Sequence, residues 1–131
     1  MPSRDRRLDA VATHPQARRA NQVEAFRRLV AAHSRSRLSV SEYAMRLGIT
    51  AGQLTRLCRE TLGMSSLDVI NCQRLHDAQL ELALTVTSIH RVATNLGFGD
   101  EDYFGRFFRR HAGMTPTAYR ERMRHRAAAG V

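Results

Sequence analysis

The sequence predicts an all-α fold in which two similar helical hairpins are joined by one long helix. Three observations predict it. The segment SVSEYAMRLGI, starting at Ser39, matches SIHRVATNLGF, starting at Ser88, at an offset of 49, and the match resumes at an offset of 50 from Leu54 with Phe104 through Gly63-Met64 with Gly113-Met114. Apolar residues inside and between the copies recur at helical intervals of three and four. Three Pro and eight Gly in 131 residues leave too few turns for a many-stranded sandwich. The match marks a duplicated supersecondary unit, with one extra residue in the turn of the second copy.

Upstream of the copies, Val23, Phe26, Leu29 and Val30 give an amphipathic helix from about Ala17 to Ala32. In the first unit, residues 39–63, Ser39 and Glu42 have the spacing of a capping box and start a helix that places Val40, Tyr43, Ala44 and Leu47 on one side. Gly48 stops that helix, because glycine takes the left-handed conformation that turns a chain sharply. Thr50 and Gln53 form a second capping pair. Leu54, Leu57 and Cys58 then carry the apolar stripe as far as Gly63.

The second unit, residues 88–113, follows the same plan. Ser88 caps a helix burying Ile89, Val92, Ala93 and Leu96, Gly97 ends it, Asp100 caps the next, and Phe104, Phe107 and Phe108 face inward. Glu101 and Asp102 in that first turn suit the positive end of the helix dipole. Thr115-Pro116 starts a last short helix containing Tyr119. Between the units, residues 66–84 read as a single helix in which Val69, Ile70, Cys72, Leu75, Ala78, Leu82 and Ala83 recur at mostly three- and four-residue intervals, with Leu80 and Leu84 widening the face for both units to pack on. Such a strut is roughly 25 Å long. Residues 1–16 and 123–131 read as flexible tails around a domain at 17–122. Two helices with a short glycine turn make a helix-turn-helix, and the small Ala44 and Ala93 let the second helix of each pair cross close over the first.

Charge points to a polyanion. Twenty-one basic residues, all arginine, stand against twelve acidic ones for a net charge of +9. Arginine's planar fork suits phosphate oxygens and guanine edges. Residues 1–38 contribute +6 and residues 120–131 contribute +3, while the middle is neutral. The two ends supply the bulk field, and the middle must act more locally. No apolar run approaches the roughly 18–20 residues of a membrane span, and the first ten residues lack a secretory signal's apolar stretch, so a cytoplasmic, nucleoid-associated protein with no membrane partner is expected. Cys58 and Cys72 read as buried hydrophobes in a reducing compartment. The six histidines are scattered singly, without metal-ligand spacing. No metal, cofactor or catalytic centre is expected, and the protein is not read as an enzyme.

The run IHRVATNLGFGDEDYFGRFFRRHAGMTPTAYR, residues 89–120, closely resembles the signature of AraC/XylS-type transcription regulators, and NCQRLHDAQLELAL resembles the linker helix of that family. The resemblance covers about residues 22–122. It implies a seven-helix domain with two helix-turn-helix units that place recognition helices in adjacent major grooves of promoter DNA. On this sequence the implied base-facing positions are Gly52, Thr55 and Arg56 in the first unit and Asp102, Gly105 and Arg106 in the second. The implied phosphate contacts are Arg59, Arg109 and Arg110, with the helix starts at Ser39, Ser66, Ser88 and Thr115.

The chain departs from the family pattern at Gly52, where a larger side chain is common, at Cys58, which replaces a core aromatic, and in the acidic run Asp100-Glu101-Asp102. Arg106 also has Asp102 at i−4 and can pair with it instead of a base. The resemblance further implies an activator that recruits RNA polymerase. Many relatives carry an effector-sensing or dimerising domain ahead of this one, so the chain is either a stand-alone reader or the DNA-binding piece of a longer regulator. The alternative function is a protein-interaction module, binding polymerase or another regulator, with only nonspecific affinity for DNA. An RNA-binding role is a third reading, which the few surface aromatics do not favour.

Overall fold

A computed structural model describes residues 14–130. Among them are seven α-helices and no strand: α1 (Pro15–His33), α2 (Val40–Arg46), α3 (Ala51–Leu62), α4 (Ser66–Leu84), α5 (Ile89–Asn95), α6 (Glu101–Ala112) and α7 (Pro116–Ala128), with a 3₁₀ turn at Ser34–Ser36. The all-α expectation holds. The chain divides into two compact units, one made of residues up to Ala32 and Leu38–Val69, the other of His33–Arg37 and Ile70 onward.

The first unit is built around Val23, Phe26, Val30, Tyr43, Ala44, Leu54, Leu57, Cys58 and Val69, all buried. Phe26 meets Tyr43 edge-on at 5.6 Å, which joins α1 to α2. Ser39 caps α2 by accepting from the Glu42 amide. Thr50 caps α3 in a reciprocal box: its hydroxyl accepts from the Gln53 amide, and the Gln53 side chain accepts from the Thr50 amide at 2.9 Å. Each such cap is worth about 1 kcal/mol. Burial pushes the Cys58 thiol up, so it stays protonated and behaves as a small hydrophobe.

The second unit repeats the plan at the offsets read from the sequence. Ser88 accepts from the Arg91 amide, Asp100 from the Tyr103 amide and Thr115 from the Ala118 amide. Its core holds Ala78, Leu82, Val92, Ala93, Leu96, Phe98, Phe104, Phe107 and Phe108, with Tyr119 packed edge-on to Phe108. Burying each aromatic contributes about 1.5–3 kcal/mol. The extra residue of the second copy is absorbed by Gly99, which has φ +78°.

Four arginines tie the elements of this unit to one another. Arg120 is 7% exposed and donates to the carbonyls of Leu82 and Thr87, fastening α7 to the end of α4. Arg74 lies over the Phe98 ring at 4.1 Å and near Phe107 at 5.3 Å. Arg37 donates to the Phe98 carbonyl, and Arg35 pairs with Glu81 at 3.8 Å. Ser34 donates to Asp77, adding a second tie between the 3₁₀ turn and α4.

Several boundaries and faces differ from expectation. Helix α1 begins at Pro15, which occupies a first-turn position where its missing N–H costs nothing. Helix α7 runs on to Ala128, so residues 123–128, expected in a tail, are helical; Arg120 anchors the helix and alanines fill its last turn. The tail expected at residues 1–13, and Val131, lie outside the described residues. Cys72 is exposed: the buried apolar residues of α4 are Val69 and Ile70 near its start and Ala78 and Leu82 toward its end, on different sides of the helix, and position 72 belongs to neither set. Leu80 and Leu84, expected to widen the packing face, are 45% and 78% exposed and lie on the side of α4 away from the buried Ala78 and Leu82.

Gly48 and Gly97 occupy the same turn in the two units, with φ +73° and +80°. A Cβ at Gly48 meets nothing within 4 Å, whereas one at Gly97 would lie 2.2 Å from the Arg35 carbonyl oxygen. We expect Gly48→Ala to cost about 1–2 kcal/mol for the left-handed conformation alone. Gly97→Ala should cost at least about 1 kcal/mol more, because backbone must move. Urea denaturation followed by circular dichroism checks this, and equal losses would show that the Arg35 carbonyl does not constrain the turn.

Candidate nucleic-acid interface

Helix α3 presents two faces. Leu54, Leu57 and Cys58 point into the first unit, and Gly52, Arg56 and Arg59 are exposed on the other side. Gly52 has open space around it. Thr55 is half-buried, and its hydroxyl is 2.8 Å from that of Ser66, itself only 2% exposed. These two hydroxyls are therefore occupied by each other. Ser66 is withdrawn from the surface, and the cap of α4 falls one residue earlier: Ser65 and Asp68 exchange side-chain to amide bonds at 3.1 and 3.2 Å.

Arg56 also lines a surface depression of about 300 Å³, whose other walls include Gln53, Leu57 and Glu60 of α3 and Arg19 and Gln22 of α1. The sequence contains no local signal for the α1 wall, since it is brought to α3 by packing across more than thirty residues.

Helix α6 has the same division. Phe104, Phe107 and Phe108 are inward, while Asp102, Arg106, Arg109 and Arg110 are exposed and Gly105 is half-buried with open space beyond its Cα. The acidic run is sorted by function in the fold. Asp100 is the cap, and the Tyr103 amide, helped by the Asp102 amide and the charges of Arg106 and Arg37, holds its carboxyl below the ordinary aspartate range. Glu101 lies 3.8 Å from His90 on α5 and pairs with it when the imidazole is protonated. Asp102 makes no ion pair within 4 Å among the described residues, so the i−4 pairing with Arg106 is not formed. Tyr103, at the position corresponding to Gln53, is 43% exposed and carries the Arg37 guanidinium 5.9 Å from its ring centre.

Ser39, Ser88 and Thr115 are exposed at the starts of α2, α5 and α7. Among the described residues no group of three His, Cys, Asp or Glu side chains could hold a metal ion, and no helix is long and apolar enough to cross a membrane.

Comparison with known proteins agrees with this geometry. The chain is 33% identical over 85 residues to the arabinose operon regulatory protein of Salmonella typhimurium, an alignment covering 65% of this chain and 30% of that protein. It thus spans about 30% of the length of the curated relative it matches. Among solved structures, an AraC-type DNA-binding domain-containing transcriptional regulator from Chromobacterium violaceum superposes with a TM-score of 0.73 at 26% identity, covering 79% of this chain and 93% of that one. The DNA-binding domain of the global transcriptional factor AdpA, solved in complex with a target DNA, gives 0.70 at 28% identity, with 82% and 94% covered. Residues 43–122 match a helix-turn-helix domain family. With two capped helix-turn-helix units and more than half its length matched, the chain belongs to the AraC/XylS-type helix-turn-helix family.

Proposed function

We propose that this chain is a sequence-specific reader of double-stranded promoter DNA that inserts α3 and α6 into adjacent major grooves and activates transcription. The observation that carries the reading is the pair Arg56 and Arg106, at matched positions of two independently capped helices, each exposed on the side away from its core. A guanidinium so placed can bond guanine O6 and N7 together. Adjacent grooves on one face of a duplex are about 34 Å apart. The nineteen residues of α4 make a spacer of roughly 28 Å, a length suited to that interval.

In this reading Arg56 and Arg106 read bases, with Asp102 accepting from a cytosine amino group or standing off from phosphate. Gly52 and Gly105 allow close approach of the backbone. Thr55, its hydroxyl engaged, offers a methyl group to a thymine. Arg59, Arg109 and Arg110 and the helix starts at Ser39, Ser88 and Thr115 hold phosphates; the buried Ser66 is not among them. The likeness to the AdpA DNA-binding domain, solved in complex with a target DNA, supports DNA as the partner. RNA polymerase as a partner, an additional effector or dimerisation domain, and a place on the nucleoid in the cytoplasm belong to the same proposal.

A second reading, a protein-interaction module with nonspecific DNA affinity, is favoured by Leu80, Leu84 and Val86, which stand exposed together at the end of α4. Duplexes selected from random sequence by the chain, titrated against scrambled duplex, separate the two. Regulators prefer the selected site by roughly 10³-fold or more. A ratio near one would sink the first reading.

Two further outcomes are expected. With about six phosphates held, log affinity should fall against log salt with a slope near −5, and a slope near −1 would deny the extended backbone contact. Arg106→Ala should relax base preference at one position by about 1–3 kcal/mol, whereas Arg109→Ala should weaken all sequences alike. Competition titrations with single-base variants of the selected site read both, and a uniform loss for Arg106→Ala would remove its base-reading role.

A further inference from the structure

The two recognition helices differ in charge at one outward position. At the offset of 50, Arg110 of α6 corresponds to Glu60 of α3, so the first unit carries a carboxylate where the second carries a phosphate-binding candidate. A carboxylate there repels a DNA backbone unless a cation answers it. Glu60 lines the depression beside α3, and Arg19 on α1 lines the same depression. Neither side chain makes an ion pair within 4 Å among the described residues. By contrast, Arg28 on the same helix is already paired with Glu24 at 3.6 Å.

We infer that the DNA-contacting surface of the first unit extends from α3 onto α1, and that Arg19 is a phosphate-contacting residue standing in for the cation that Glu60 replaces. The inference rests on the DNA-reading proposal and deepens it. A phosphate in the depression meets the Arg19 fork from one side and Arg56 from the other. The Gln53 amide nitrogen remains a donor, because the Thr50 cap uses only the oxygen of that side chain. Arginine's paired N–H groups match two phosphate oxygens at once. The depression is open and lined chiefly by long polar side chains, the form expected of a seat for a polyanion backbone passing over the surface.

The test uses the full chain with two probes, a duplex selected from random sequence and its scrambled counterpart, in fluorescence anisotropy titrations at several salt concentrations. Arg19 is exposed on a helix, so Arg19→Ala keeps the fold, and circular dichroism verifies this. The variant should weaken binding to both duplexes by the same factor and make the salt slope shallower by about 0.9. From about 50 to about 200 mM salt it should therefore lose roughly 3.5-fold less affinity than the parent chain. Glu60→Gln should tighten binding to both duplexes. An unchanged salt slope for Arg19→Ala, a loss confined to the selected duplex, or no gain from Glu60→Gln overturns the inference. Should the parent chain bind both duplexes equally, the sequence-reading proposal fails by itself, while the Arg19→Ala slope still reports on the phosphate contact.

Discussion

In both units a turn of three or four residues must reverse the chain tightly enough for the second helix to lie over the first. A left-handed glycine makes that reversal. At Gly48 and Gly97 the backbone leaves one helix with positive φ, and the next amide returns to the helix it has left: Ile49 donates to the Ala44 carbonyl and Phe98 to the Ala93 carbonyl. An L side chain disfavours this conformation. The turn also drops Phe98 beneath the helix, where its ring meets Phe104 and Phe107 at 4.9 and 5.0 Å. Where the turn ends, the caps begin, and the direction of α3 and α6 follows from Thr50 and Asp100.

Once the turn is fixed, the arginines divide into two populations. Those at positions 35, 37, 74 and 120 are spent on carbonyls, a carboxylate and aromatic faces within the second unit. Those at positions 56, 59, 106, 109 and 110 stand outside on α3 and α6. Net charge counts both populations equally, although the buried Arg120 and the ring-stacked Arg74 are engaged inside the second unit. Local geometry, more than the total of +9, decides which cations are available.

This difference explains what the sequence could disclose. Caps, glycine stops and apolar stripes are local, set by residues within four positions of one another, and Ser39, Thr50, Ser88, Asp100 and Thr115 all cap where their spacing predicts. The inward or outward side of α3 and α6 was legible for the same reason. Contacts between separate helices, eleven to thirty-eight residues apart, left no such trace. Nothing near Arg120 signals the Leu82 and Thr87 carbonyls, and nothing near Thr55 signals Ser66. Cys72 shows the limit of periodicity itself: an apolar residue one step off a helical face fits a tolerant pattern yet emerges in solvent.

Agreement between the two copies is informative because folding accounts for most of it and stops short of the rest. Ala44 with Ala93, Leu54 with Phe104 and Leu57 with Phe107 are buried pairs, and Gly48 with Gly97 and Gly63 with Gly113 are left-handed pairs, so packing and backbone conformation require them. Outward positions are under no such demand, and several have diverged, as Gly52 with Asp102 and Glu60 with Arg110. Arg56 with Arg106 and Arg59 with Arg109 are outward as well, yet identical. The Arg59 and Arg109 carbonyls do close their helices by accepting from Gly63 and Gly113, but any residue supplies a carbonyl. Neither packing nor capping asks for a guanidinium at these four places, and the proposed reading accounts for the recurrence, since a repeating polyanion presents the same demand to each unit.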